Sequence, residues 1–220
     1  MKAPFLLLNY KAYKESLDKG IKIARISKKV SKRLRIPIVV APQYTLIKDT
    51  SKIITTFSQN IDPEEFGSHT GSVLVEEVKR MGAKGTLINH SENRIPKKRI
   101  KRCVDKCRKL RLISVVCAKD SKESGILARF RPDFIAIEPP ELIGGKTSVS
   151  TARPQIIKDS VSAVRKSSRK TKVLCGAGIH TKEDVKKAIE LGAKGVLVAS
   201  GIIKAKNIEK ALRDIASGLL

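Results

Sequence analysis

The stretch Met81-Gly82-Ala83-Lys84-Gly85-Thr86-Leu87-Ile88 returns later in the chain as Leu191-Gly192-Ala193-Lys194-Gly195-Val196-Leu197-Val198. In each copy a glycine suits the left-handed residue that closes a helix. A short apolar run follows, of the kind that makes a buried strand. The copies begin 110 residues apart (191 − 81), half of a 220-residue chain. Taken as the fourth and eighth strands of a repeating βα pattern, they imply eight such units. Eight units close on themselves as a (β/α)8 barrel.

The rest of the chain fits that count. Apolar runs at 5–9, 36–41, 53–59, 85–89, 112–117, 134–138, 173–176 and 195–200 read as the eight strands. They are short, rich in Ile, Val and Leu, and lack clean alternation, as strands covered on both faces do. Helical patterns lie between them. Ile100, Cys103, Val104, Cys107 and Leu110 fall on one helical face, and Pro96 sits where a first-turn proline belongs. Thr181 and Asp184 form a capping-box pattern ahead of Val185, Ala188 and Ile189. Ile208, Leu212 and Ile215 make a last stripe. No linker or shift in composition divides the chain, so 1–220 reads as one compact α/β barrel domain.

Composition narrows the class. The 41% hydrophobic content is enough for one sizeable core. With 14 Gly and 9 Pro the chain is neither a linker nor a collagen. The apolar segment 3–8 is too short for a signal-peptide core, and no later run reaches the length of a membrane span. Four cysteines without a secretory signal predict a reducing, cytoplasmic setting. Lys and Arg number 46 against 21 Asp and Glu, a formal charge of +25. The basic residues cluster at 94–111 and 158–172, on helices away from the barrel mouth, and read as solvated faces. A positive field of this size also draws in a doubly negative substrate. With 4% aromatics, no Trp and no nucleic-acid-binding motif, no specific nucleic-acid partner is expected, and no membrane.

In such barrels the chemistry gathers at the C-terminal ends of the strands. The first strand ends in Asn9-Tyr10-Lys11 and the fourth in Asn89-His90-Ser91-Glu92. Taken singly, Lys11 reads as a solvated loop lysine and His90 as a hydrogen-bonded structural histidine. The sixth strand ends in Glu138, followed by Pro139-Pro140-Glu141-Leu142-Ile143-Gly144. A Glu leaving an apolar strand toward the mouth is harder to dismiss, because structure alone favours an uncharged residue there. The seventh and eighth strands end in Cys175-Gly176-Ala177-Gly178 and Ala199-Ser200-Gly201. Such small residues let backbone N–H groups approach a phosphate, a feature shared by many phosphate-binding barrels. A Lys, a His and a Glu at one mouth beside a phosphate cradle match proton abstraction next to a carbonyl. Glu138 is then the base, His90 the donor to the carbonyl oxygen, and Lys11 the stabiliser of the enediolate.

These motifs, with Ala41-Pro42-Gln43 and Gly67-Ser68-His69-Thr70-Gly71, resemble the triosephosphate isomerase family in its short archaeal form, over essentially the whole chain. The resemblance implies interconversion of dihydroxyacetone phosphate and glyceraldehyde 3-phosphate, in glycolysis and gluconeogenesis, with no metal and no organic cofactor. It implies that Asn9, Tyr10 and Lys11 bind substrate, and that Ile143, Gly178, Ala199 and Ser200 offer backbone groups to the phosphate. Glu92 supports the site from behind, and 139–149, with Gly144-Gly145, forms a lid. His90 acts as a neutral electrophile, with the N-terminus of the helix after Pro96 to keep it uncharged. Thr70 matches the residue that reaches a neighbouring subunit, so a homodimer or homotetramer is implied. The chain departs from longer members at Ser72 and Asn93, where a Glu and an Arg pair; both are absent together, which leaves no orphan charge. Ile137 precedes the base where Tyr, Leu or Val is usual.

Two rivals have sequence-level tests. Another phosphate-binding barrel, such as a sugar-phosphate epimerase or an amino-acid-pathway isomerase, would share the glycines of the last two strands but need not combine Asn9 and Lys11 with Asn89-His90-Ser91-Glu92 and Glu138-Pro139. An inactive barrel kept as a polyanion binder predicts an incomplete trio, and here Lys11, His90 and Glu138 are all present. Cys103 and Cys107 lie on the apolar stripe and read as core, not as metal ligands. Cys117 and Cys175 end strands near the mouth. His69 and His180 carry no catalytic role.

Overall fold

Strands and helices alternate along the chain in the computed structural model, which describes residues 3–140 and 154–220. The strands are β1 (Phe5–Asn9), β2 (Ile38–Ala41), β3 (Phe57–Ser58), β4 (Gly85–Ile88), β5 (Ile113–Ala118), β6 (Phe134–Ile137), β7 (Lys172–Cys175) and β8 (Gly195–Val198). They form one parallel sheet in the order β2-β1-β8-β7-β6-β5-β4-β3. Its two ends meet through a parallel bridge between Val40 and Thr56, with Val40 N donating to Thr55 O at 3.1 Å, so the sheet closes into a barrel. The helices are α1 (Lys14–Leu34), α2 (Tyr44–Ser51), α3 (Val75–Arg80), α4 (Lys97–Lys109), α5 (Ser121–Ala128), α6 (Pro154–Ser167), α7 (Lys182–Glu190), α8 (Ser200–Ile203) and α9 (Ile208–Ala216).

Successive strand residues point to opposite faces, and here both faces are dry. Phe5, Leu7, Val39, Phe57, Leu87, Val115, Phe134, Leu174 and Leu197 form one buried cluster. Phe5 meets Phe134 edge-on, ring centroids 5.2 Å apart, although β1 and β6 are not neighbours in the sheet. That contact can only cross the interior of the ring. The alternate residues, among them Leu6, Leu8, Ile38, Ile88, Val116 and Ile135, pack outward against the helices. Burying each such side chain contributes roughly 1.5–3 kcal/mol.

The repeated stretch works as its glycines suggest. Gly82 and Gly192 hold φ of 97° and 104°. After α3, Ala83 N donates to Val78 O at 3.2 Å and Gly82 N to Lys79 O at 2.9 Å. After α7, Ala193 N donates to Ala188 O at 3.1 Å and Gly192 N to Ile189 O at 2.9 Å. Each pair satisfies carbonyls the helix leaves orphaned. The second glycine of each copy serves close packing. A Cβ on Gly85 would lie 2.5 Å from Ile113 O, and one on Gly195 would lie 2.3 Å from Phe5 O.

Several strand ends move by one or two residues from the sequence reading, and three boundaries differ for a physical reason. The third strand is far shorter than 53–59, because Ile53 N and Ile54 N both donate to Thr50 O and finish the turn that ends α2. Pro96 is the residue before α4 rather than its first, and its carbonyl accepts from Ile100 N. Ser200 opens α8 instead of ending β8. The capping box of Thr181 and Asp184 is present on α7.

The basic run on α4 is more than a solvated face. Ile100, Cys103, Val104 and Cys107 are buried, and burial pushes the Cys103 thiol up to about 12 and the Cys107 thiol higher still. From the flank of that stripe, Arg99 reaches Asp62 at 3.0 Å and Glu64 at 2.9 Å. Arg102 donates to Pro63 O at 2.8 Å. Lys106 donates to Glu64 O and lies 3.3 Å from Glu76 and 3.5 Å from Glu65. The helix therefore grips the third βα loop along 62–65. Among the described residues, no helix is long and apolar enough to cross a membrane.

Candidate active site

Two inward-facing rows carry polar residues to one end of the barrel. On β1 the row Phe5, Leu7 continues to Asn9; on β6 the row Phe134, Ala136 continues to Glu138. Glu138 N donates to Ala118 O at 2.8 Å, so the sheet pairing runs one step past β6 and holds the carboxylate in place. Its neighbour across the sheet is Gly176, whose N donates to Ile137 O at 2.9 Å. A Cβ on Gly176 would lie 2.8 Å from Glu138 Cγ, so a glycine there leaves room for the acid.

His90 follows Asn89, which takes the left-handed conformation at φ 62° that Asn tolerates better than most residues. Asn89 Nδ2 donates to Cys117 O at 2.9 Å and its Oδ1 accepts from Ile95 N at 3.0 Å, which fixes the turn. His90 Nδ1 accepts from Glu92 N at 3.2 Å. A nitrogen that accepts carries no proton, so the imidazole is neutral with its proton on Nε2. The donor on Nδ1 is this turn amide, ahead of α4. His90 Nε2 lies 3.3 Å from Glu138 Oε1. Glu92 Oε2 stands 3.7 Å from Nδ1, too far for a hydrogen bond and facing a lone pair, so Glu92 does not ion-pair with the ring.

Glu138 is 3% exposed. Burial raises its pKa above the ordinary carboxylate value; the opposing influences are His90, the Ser91 N–H at 3.2 Å, the Cys117 thiol and Lys11. Burial likewise pushes the Cys117 thiol far up, so it is a hydrogen-bond donor to Glu138 and not a thiolate. Lys11 Nζ pairs with Glu92 Oε1 at 2.6 Å at the same mouth.

Asn9, Lys11, His90, Glu138, Gly178, Ala199 and Ser200 line one cleft together with Gly176. Gly178 has φ 64°, and Ala199 is the N-cap of α8. Tyr10 does not belong to this cleft. It is fully buried in the outer core, and its hydroxyl donates to Gly20 O at 3.3 Å. Alternation along β1 explains the difference: Asn9 faces in, so Tyr10 faces out. Thr70 sits on an exposed loop outside the cleft. Ile143, Gly144 and the lid beyond Pro140 lie outside the described residues. Sequence reasoning quoted Gln43 only within the motif Ala41-Pro42-Gln43 and gave neither it nor Gln59 a role, yet the side-chain amides of both donate to Lys11 O at 3.0 Å. It also left the Cys117 thiol without a role, although Cys117 is the next inward position after Val115.

The arrangement holds a buried carboxylate, a neutral imidazole and an ammonium around one cleft rimmed by small residues. That set can move a proton between adjacent carbons while stabilising an oxyanion. Residues 4–216 match the family described as triosephosphate isomerase. The chain is 46% identical over 215 residues to the triosephosphate isomerase of Methanocaldococcus jannaschii, covering 96% of this chain and 97% of that protein. It is 44% identical over 218 residues to that of Methanothermus fervidus, covering 98% of each. It is 41% identical over 223 residues to that of Caldivirga maquilingensis, covering 100% of this chain and 99% of that protein.

Proposed function

Because the chain belongs to the triosephosphate isomerase family and interconverts dihydroxyacetone phosphate and glyceraldehyde 3-phosphate, we propose that Glu138 is the base, His90 the electrophile and Lys11 the cation of that reaction. The observation that carries the assignment is the buried Glu138 carboxylate against His90 Nε2, at 3.3 Å. Triosephosphate isomerase is itself the standard example of a carboxylate base beside a neutral imidazole.

Glu138 takes a proton from the carbon next to the carbonyl. The C–H electron pair becomes the C=C bond of the enediolate, and the carbonyl π pair moves onto oxygen. His90 donates its Nε2 proton toward that oxygen, and the Lys11 ammonium offsets the developing charge. Once that oxygen holds the proton, His90 Nε2 takes the proton of the neighbouring hydroxyl, so the negative charge moves to that second oxygen. Glu138 then returns its proton to the former carbonyl carbon as the C=C pair forms the new C–H bond and the second oxygen becomes the new carbonyl. A neutral imidazole suits this step because its acidity is closer to that of the enediol than an imidazolium's would be. The backbone at Gly178, Ala199 and Ser200 receives the phosphate, aided by the open space such small side chains leave. Ile143, Gly144 and the lid complete the site by excluding water. Asn9 and Glu92 keep Lys11 in place.

The triose phosphate reaction supports an enzyme of glycolysis and gluconeogenesis working in the cytoplasm. The third loop, in which Phe66 is 75% exposed and Thr70 is exposed as well, supports a homodimer or homotetramer in which that loop meets a second copy. The deciding experiment is a coupled assay on the wild type and Glu138→Gln. Activity is expected to drop by about 10²–10⁴-fold in the variant with its thermal unfolding retained. Near wild-type turnover in Glu138→Gln would remove Glu138 from the role of base.

A further inference from the structure

We infer that Gln43 is a positioning residue for Lys11: its amide holds the lysine's backbone in the left-handed turn that presents the ammonium to substrate. The inference rests on the reading of Lys11 as the substrate-facing cation. Lys11 has φ 48°, a conformation that costs any residue with a Cβ and persists only where its surroundings fix it. Here every polar backbone group of Lys11 is fixed by a side chain. Its N–H donates to Asn9 Oδ1 at 2.9 Å. Its carbonyl accepts from Gln43 Nε2 at 3.0 Å and from Gln59 Nε2 at 3.0 Å, which fills both lone pairs. Gln59 uses its other N–H on Ala41 O, at 3.0 Å.

The local setting of Gln43 singles it out. It is the N-cap residue of α2, a position where Ser, Thr, Asp and Asn normally bond the helix's own first amides. The Gln43 side chain makes no such bond. Its amide turns away from its own helix and reaches across from the end of β2 to the end of β1. Gln59 ties Lys11 to β2 from the end of β3, so two strand ends converge on one carbonyl. Without the Gln43 amide, one lone pair of that carbonyl loses its donor and the turn loosens toward ordinary backbone angles. The side chain would then leave the chain in a different direction, although Nζ is the atom that must sit within reach of Glu92 and substrate.

A residue that acts through Lys11 matters only while the Lys11 ammonium is there. The test is a double-mutant cycle in kcat/KM with Gln43→Met, which keeps the length and removes the donor, in wild-type and Lys11→Met backgrounds. Enzyme is used at concentrations high enough for the slowest variant. Gln43→Met is expected to lower kcat/KM by roughly tenfold in the wild type, mainly through KM, and by less than about twofold in Lys11→Met. Equal losses in the two backgrounds would make Gln43 merely structural and overturn the proposal, as would an unchanged wild-type value. If Lys11→Met itself keeps full kcat/KM, the reading of Lys11 fails first and the inference with it. Gln43→Glu gives a second readout with the fold retained: a carboxylate facing the Lys11 carbonyl should do more harm than Met at pH 8, and less as the pH is lowered.

Discussion

At the scale of single residues, Glu138 couples activity and stability with opposite signs. Burial costs a carboxylate more than a carboxyl, so the folded protein releases this proton above the ordinary value of 4.5. As a base Glu138 works only when ionised, so kcat/KM falls on acidification with a midpoint above 4.5. Stability runs the other way. Between 4.5 and the folded value, the folded state binds more of this proton than the unfolded chain does. Its contribution to stability is therefore complete below 4.5 and is lost as pH rises through the folded value. Glu138→Gln lacks that titration. The unfolding free energy of the wild type minus that of Glu138→Gln, from urea denaturation, is expected to grow as pH drops from neutrality toward 4.5. A flat difference would show that Glu138 titrates at its ordinary value, and a shrinking one that folding lowers it; either overturns the expectation. The residues of this site were legible to unequal degrees, and the cause is geometric. Asn9 and Glu138 continue inward rows that a period of two extends past the strand ends. The same rule, applied one residue on, puts Tyr10 outside the cleft. Gln43 stood in a recognisable motif, but its bond to Lys11 and that of Gln59 could not be read, because a side chain that bonds a distant backbone carbonyl leaves no local pattern.

At the scale of elements, the clearest departure from sequence expectation is α4. A run of like charges predicts a solvated face unless its counter-charges are known, and these sit some thirty to forty residues earlier, at 62–65 and at Glu76. The partners become visible only when the barrel brings the third loop against α4. Lys106 is the member with most at stake. It is 9% exposed, and Glu76 Oε2 is buried with no hydrogen-bond partner of its own. Removing the ammonium leaves the Glu76 carboxylate partly buried without that cation. Breaking a fully buried pair costs about 3–5 kcal/mol, and an exposed one under about 1 kcal/mol. With Glu76 26% and Glu65 72% exposed, Lys106→Met should cost about 2 kcal/mol in denaturant unfolding, and Glu76→Gln added to it should recover part of the loss. A loss below about 0.5 kcal/mol would return Lys106 to the solvated face. The strands were far more legible than this clamp. Their apolar runs are local, and the paired glycines of the repeat state both the helix stop and the tight packing that follows. The third strand is the exception, since Ile53 and Ile54 look like strand residues but their amides finish α2.

At the scale of the whole molecule, the net charge of +25 remains after every ion pair is drawn, and it acts on a substrate that carries a doubly negative phosphate. Most of that charge lies on the outer faces of the helices. A helix with its side chains is about 10 Å across, so these charges stand at least that far from the cleft. The Debye length is about 8 Å at 0.15 M ionic strength and about 30 Å at 0.01 M. At low salt the whole surface therefore pulls on the incoming phosphate, whereas near 0.15 M only charges at the mouth, Lys11 foremost, still do. Steering raises the encounter rate and leaves bound substrate unaffected. Consequently kcat/KM should fall steeply as salt rises from about 0.01 M to 0.15 M and flatten beyond, while kcat stays level. Replacing Arg25, Lys28 and Lys32, which are exposed on α1, with Gln should reduce the low-salt slope and leave the high-salt value unchanged. The comparison separates two origins of the attraction. If kcat/KM keeps falling beyond 0.15 M and the α1 substitutions do nothing, the pull is local to the mouth and the outer charge has no part in capture. If the slope follows the number of surface charges, the basic helices serve the reaction from a distance.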